Sequence, residues 1–336
     1  VIAETLVRLR YNMIIPASFL SIMNPPEKCL LDECAKRGIF LSMHHIEPMG
    51  VSAFSYKNYW EEQGKSPAYS WLREPDAMRT VWRAYAKAWS VYPNVIWQIG
   101  LRGVGDRPMW NDDPAIPNSN EERAALISSA MQEQVNILTE ILSKRPDYFT
   151  TTLWAEGAIL NQRNLLEFPE GTTVVFADNC CGWKWQKDFY QALRSERNYY
   201  GVYYHHAIIG GTHLAQAVPP EKTWQCLHEA WQSGAANYAI LNVSNIREFQ
   251  IGIKASSEIL WSPEDFAPKD FLDKWVNSHF TIDTEKIATA FQVYYNSFVL
   301  HPERNAALFE DQLIYSDGNS YVQYSTNRCK HNIILQ

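Results

Sequence analysis

The chain has 336 residues, 46% of them apolar and 20% charged, with a formal net charge of −7. That is ample apolar material for a large buried core in an ordinary globular protein. The acidic balance excludes nucleic acid and anionic membrane as main partners, because both need a basic surface. No apolar run approaches the ~18–20 residues of a membrane span.

In chain order, an apparent helix at Ile2–Arg10 is followed by a predicted strand over Tyr11–Pro16. A helical stretch, Leu30–Arg37, precedes a strand over Ile39–His45. After a long loop, about Pro48–Glu74, the run Asp76–Trp89 sets Met78, Val81, Trp82, Tyr85, Ala88 and Trp89 on one stripe. That is the 3.6-residue period of an amphipathic helix. A strand over Val95–Leu101 leads to a second long loop, about Gly103–Ser119. Ser119-Asn120-Glu121-Glu122 is a capping-box pattern opening a helix with Ile127, Met131, Leu138 and Leu142 on one face. Further strands are predicted over Phe149–Trp154, Thr173–Ala177, Val202–His205 and Tyr238–Val243, with a helix over Glu221–Ser233.

Near-continuous apolar strands separated by helices define an α/β class with a parallel sheet covered on both faces. The expectation is a TIM-type (β/α)₈ barrel over residues 1–265, with its first strand upstream of Val1. A helical extension and the start of an accessory region would occupy 266–336. There Asp270–His279 and Glu285–Tyr295 look helical, and Asp311–Thr326 reads as strand and turn around Asp317-Gly318. The rival is an open doubly wound sheet, but neither G-x-G-x-x-G nor a Walker A pattern is present. Starting at Val1 and not Met, the chain reads as processed or as a fragment, and no signal peptide is visible. Six cysteines (29, 34, 180, 181, 226 and 329) form no C-x-x-C pair and do not fix the redox compartment. Asn242-Val243-Ser244 fits a glycosylation acceptor, but lies in a predicted buried strand.

In a barrel, chemistry belongs where strands end. These ends are polar: His44-His45-Ile46-Glu47, Arg102 to Asp106, Trp154-Ala155-Glu156, Asp178-Asn179, Tyr204-His205-His206 and Asn242 to Asn245. Unpaired buried charge is costly, so such a series suggests a wet or ligand-filled pocket. Asp106, Glu156, Glu47 and Asp178 offer several carboxylates, and glycoside hydrolysis needs two. Arg102 offers a two-donor fork for an anion, and His45 and His205 could hydrogen-bond hydroxyls. Thirteen Trp and 18 Tyr suit sugar binding, as flat rings cover the apolar face of a pyranose. His45, Glu47, His205 and His206 are zinc-capable types, but no ligand motif of known spacing occurs. A Ser–His–Asp reading lacks G-x-S-x-G.

Several of these segments resemble those of family 115 glycoside hydrolases, the xylan α-glucuronidases. His45-Ile46-Glu47-Pro48-Met49 resembles the family's H-x-E-P-M, and the run Trp97 to Asp106 its T-I-G-M-R-G-x-x-D. Leu153-Trp154-Ala155-Glu156 is similar to L-Y-K-E, and Phe176-Ala177-Asp178-Asn179 with Gly182 to W-x-D-D-N-x-G. Gly201 to His205 with Gly210-Gly211 resembles G-x-Y-Y-H…G-G, and Asn242-Val243 ends a stretch like the family's I-V-N-V strand. The resemblance implies an inverting, exo-acting, metal-free and cofactor-free barrel that removes α-linked (4-O-methyl)glucuronic acid from xylan or its oligosaccharides. It implies Asp106 and Glu156 as the acid/base pair, with either order open, and Arg102 as a substrate ligand. His45, Glu47, Asp178, Asn179, Tyr204 and His205 would line the pocket. An acidic xylo-oligosaccharide or xylan is the expected partner, a secreted or periplasmic setting is expected, and any homodimer would form through regions outside this chain. Departures occur at Asn179 and Cys180, at Thr212-His213-Leu214-Ala215 and at Ser244-Asn245. They leave open a barrel that binds without cleaving, or one with another sugar preference.

Overall fold

The structure, a computed structural model, describes residues 1–16, 18–178, 184–207, 216–243, 245–297, 300–301 and 306–307. Asn179, Gly210-Gly211, Thr212 to Ala215, Ser244 and the expected strand-and-turn at 311–326 lie outside them.

Helices α1 (Ile2–Arg8), α2 (Pro25–Ala35), α3 (Ala53–Glu61), α4 (Pro75–Trp89), α5 (Asn120–Leu142) and α6 (Glu156–Gln162) alternate with strands β1 (Met13–Ile14), β2 (Phe40–Ser42), β3 (Val95–Gln98) and β4 (Phe149–Leu153). Then come β5 (Thr173–Ala177), α7 (Lys187–Gln191), β6 (Tyr199–His205), α8 (Pro220–Gln232), β7 (Ala239–Asn242) and α9 to α11 (Gln250–Trp261, Pro268–His279, Thr284–Asn296). The strand order follows the chain order from β1 to β7, and the registered pairs among them are parallel. This is the topology of a (β/α)₈ barrel with seven of its strands among the described residues, followed by C-terminal helices.

The chain divides into two compact units, Val1–Phe176 with Lys187–Gly201, and Ala177–Gln186 with Val202–Gln336. In the first, α4 buries Met78, Val81, Trp82, Tyr85, Ala86 and Trp89, the stripe read from the sequence with Ala86 in place of Ala88. Each large side chain so buried is worth about 1.5–3 kcal/mol over its exposed state. α5 starts at Ser119, whose hydroxyl accepts from the Glu122 N–H at 3.1 Å. Its Gln134, fully buried, grips the end of β3 twice: the side chain accepts from Gly100 N–H and donates to Gly100 O, both at 2.8 Å. Gly100 has φ +143, a conformation open to glycine, so the chain turns out of β3 at a fixed angle. All five residues of β4 are buried, as expected for a strand covered on both faces. Beyond the strands, Ser70 binds the buried Asp113, which also pairs with Arg73 at 2.9 Å, welding the loops after β2 and β3.

In the second unit β6 pairs with β7 from Val202↔Ala239 to His205↔Asn242. Helices α8 and α9 pack together, and α10 packs on α8 and α11. No helix among the described residues is long and apolar enough to cross a membrane.

Candidate active site

The first unit gathers the ends of β2, β3 and β4 around one guanidinium. Arg102, 7% exposed, follows the Gly100 turn. Its Nη1 donates to Glu156 Oε1. Its Nη2 donates to Asp106 Oδ1 at 2.6 Å and to the Asp106 carbonyl at 2.5 Å. Asp106 Oδ1 also lies 3.0 Å from His45 Nε2, so this nitrogen carries the hydrogen and the carboxylate accepts. His45 sits beside Trp154, with ring centroids 6.1 Å apart. Both terminal nitrogens of Arg102 are thus committed to carboxylates. Its buried Nε has no partner among the described residues, nor has the buried Oε2 of Glu156.

Local backbone sets these side chains. Asp106 has φ +63 and Ala155, just before Glu156, has φ +47. Both are left-handed values that a side chain resists, and such strain persists only when the surroundings impose it. For Asp106 the surroundings are a closed loop. Gly103 N–H donates to Arg107 O at 2.7 Å, Val104 N–H to Asp112 Oδ2 at 2.9 Å, and Arg107 Nη2 to Asp112 Oδ1 at 2.6 Å. A Cβ on Gly103 would lie 2.7 Å from Pro108 O and 2.8 Å from Arg107 O. Backbone carbonyls yield little, so Gly103→Ala should open this loop and displace Asp106. Misplacement on the order of 1 Å costs roughly 10²-fold. The expected result is a kcat about 10²-fold lower with an unchanged circular dichroism spectrum; unaltered turnover would show that the loop does not position Asp106.

The two carboxyls are pushed in opposite directions. Burial is the largest influence on Asp106 and raises it, but hydrogen bonds and charge from His45 and Arg102 outweigh it and hold the group below its ordinary value. Burial also raises Glu156, and here Arg102 recovers only part, so the net shift is upward. The exposures agree: the Asp106 side chain is 37% accessible and that of Glu156 12%. One carboxyl shifted down and its neighbour shifted up is the direction of divergence that acid–base catalysis uses.

Glu47 is buried in the same unit and accepts from Phe19 N–H. Burial pushes it up to about 8, against the Phe19 hydrogen bond and with help from Glu27. Between pH 4.5 and 8 the folded state keeps a proton that the unfolded state has released. The stability tied to that proton is full below the unfolded pKa and is lost as pH rises through the folded one. Glu47→Gln keeps an acceptor for Phe19 and removes the titration. Its melting temperature should match wild type at pH 4 and exceed it increasingly toward pH 8; parallel melting curves across that range would contradict this.

Asp178, Tyr204 and His205 lie in the second unit. Asp178 is fully buried: Oδ1 lies 2.7 Å from His205 Nδ1, and Oδ2 accepts the His205 N–H at 2.7 Å. Tyr203 shares a strand face with His205 and receives a hydrogen bond from Asn242 Nδ2 at 2.8 Å. Tyr204 and His206 point to the other face. Tyr204 is fully buried, ring-packed on Trp185, with its hydroxyl 3.4 Å from Thr223 on α8. His206 Nε2 lies 2.8 Å from Ser256 Oγ on α9, and burial pushes the imidazole down to about 3. Those two side chains face the helical layer. Gly103, Asp112 and the Ala155 turn were not singled out in the sequence. A glycine next to an arginine carries no signal of what closes over it.

In the first unit the strand ends of a parallel (β/α) chain thus bring two carboxyls onto one guanidinium. The model of Glycosyl hydrolase family 115 matches residues 1–303, and the chain belongs to this family. Among solved structures it is similar to BtGH115A, described as a novel family GH115 4-O-methyl-α-glucuronidase with specificity for decorated arabinogalactans. The TM-score is 0.73 at 21% sequence identity, over 94% of this chain and 42% of that one. At that identity the likeness is one of fold, and the chain spans less than half of that structure's length. A search of curated proteins gave no match.

Proposed function

We propose that this chain is the catalytic barrel of an exo-acting, inverting α-glucuronidase that releases (4-O-methyl)glucuronic acid from plant polysaccharide. The observation that carries this is Arg102, which holds two carboxyls with opposite pKa shifts at the ends of β3 and β4. Glu156 is the acid: its Oε2, without a partner among the described residues, donates a proton to the glycosidic oxygen as the C1–O bond breaks. Asp106, ionised and reaching solvent, is the base: it takes a proton from a water that attacks C1 from the opposite face. Water supplies the hydroxyl of the uronic acid, Glu156 supplies the hydrogen of the leaving alcohol, and the anomeric configuration inverts. Arg102 orders the pair and compensates charge between them. His45 fixes Asp106.

The expected glycan is xylan or an acidic xylo-oligosaccharide. The relative described for decorated arabinogalactans makes that polymer the second glycan to examine. Secretion or a periplasmic location would bring the enzyme to either polymer. The test is digestion of glucuronoxylan and of an acidic arabinogalactan by the full-length protein, with released sugars resolved by anion-exchange chromatography. A single uronic acid released from either polymer supports the proposal. Sugar-dependent binding heat with no product from either would favour a barrel that binds without cleaving.

A further inference from the structure

We propose that Phe19 and Phe54 form a platform for the polysaccharide main chain, packing the apolar faces of the sugars that carry the uronic acid. This extends the glucuronidase reading to the glycan beyond the scissile bond and rests on it for the identity of the ligand.

Phe19 lies in the loop after β1 and Phe54 in the first turn of α3. Their rings meet edge to face, with centroids 5.2 Å apart, and each residue is 48% exposed. Together the two rings leave a contiguous apolar surface in water. The backbone holds them there at a cost. Phe19 has φ +65, and its N–H is held by the buried Glu47 carboxyl. Two residues on, Ser21 is tied by its N–H to Glu27 and by its hydroxyl to Tyr85 at 3.0 Å. Phe54 is fixed by the Ser52–Ser55 capping box just beneath it.

The platform is joined to the catalytic group through one short stretch of chain. From His45, on Asp106, to Phe54 the chain runs through Glu47, a buried turn at Pro48–Gly50 and the capping box. Gly50 is seated against Trp89, where a Cβ would come within 2.5 Å of the indole nitrogen. One segment therefore carries both the base's histidine and a ring of the platform. Size selects the occupant. Two half-exposed rings offer on the order of 200 Å², far below the ~800 Å² per partner of a stable protein interface. That area suits one or two pyranose faces, and aromatic faces pair with the C–H faces of sugars while hydroxyls stay in water.

The test uses the full-length protein with Phe19→Ala, Phe54→Ala and both together. Affinity electrophoresis in gels holding glucuronoxylan or acidic arabinogalactan measures retention without turnover. Kinetics on the same polymers and on methyl α-glucuronoside give the ratio of kcat/KM values. The double variant should lose about tenfold in polymer affinity, equivalent to about 1.4 kcal/mol, and the ratio should fall by the same factor. Unchanged retention of the double variant on both polymers would overturn the platform, and so would an equal loss of kcat/KM on polymer and methyl glycoside. If wild type cleaves no uronoside but retention still depends on the two rings, the platform stands and the hydrolytic reading fails.

Discussion

Asp106→Asn and Glu156→Gln should each lower kcat on a uronic-acid-bearing oligosaccharide by about 10²–10⁴-fold, the range that positioned acid–base groups supply. The variants differ in what rescues them. In the proposed mechanism Glu156 protonates the leaving oxygen, so Glu156→Gln should lose least on a substrate with an acidic phenol as leaving group, which departs without a proton. In the same proposal Asp106 activates the water, so Asp106→Asn should lose as much on that substrate as on the natural one. In wild type, activity should fall on the acid side as Asp106, held below its ordinary value, takes up a proton. It should fall on the alkaline side as Glu156, raised above its ordinary value, gives one up. Near-wild-type turnover in both variants would remove these residues from the chemistry.

Arg102→Ala should be the most damaging single change, in stability as well as rate. The side chain is 8% accessible and is the cationic partner of both carboxyls. Taking one member from a buried ion pair costs about 3–5 kcal/mol, because the remaining charge is left uncompensated. Without the guanidinium, both Asp106 and Glu156 lose a charge that favours their ionised forms. Both pKa values should therefore rise, and both limbs of the pH–rate profile should move to higher pH. Packing alone would lower stability without moving the limbs. A profile of unchanged position, measured where the variant remains folded, would exclude the electrostatic role. Arg102→Lys should restore part of the pH position but little of the rate, since an ammonium cannot span two carboxylates as a planar fork does.

The fold was legible in the sequence because its signals are local and periodic. The α4 stripe and the buried strands β4 and β5 each announce their environment within ten to fifteen residues. Short helices were less visible. α3, under ten residues, was read as part of a loop and depends on a Ser–Ser capping box that the S-x-x-E pattern does not describe, and α6, shorter still, was not assigned. At the site, residue types and strand-end positions brought out Arg102, Asp106, Glu156 and His45. Their mutual arrangement was not readable. Arg102 was expected as a substrate ligand, and what the sequence did not show is that its two terminal nitrogens also hold Asp106 and Glu156. The proposed assignment of acid and base rests on burial and on His45, which lies sixty-one residues from Asp106 in sequence. Tyr204 and His205 are adjacent strand residues, and alternation alone sends them to opposite faces. The Tyr204 hydroxyl on Thr223 shows which face is the helical one.

The most direct measurement is a crystal structure of the full-length Asp106→Asn variant with an aldobiuronic acid carrying an α-linked glucuronic acid. The expected result is the uronic acid ring between residues 106 and 156, with the glycosidic oxygen within hydrogen-bond reach of Glu156. A sugar bound elsewhere, with the Arg102 cluster closed as in the free protein, would contradict the assignment of this group as the catalytic centre.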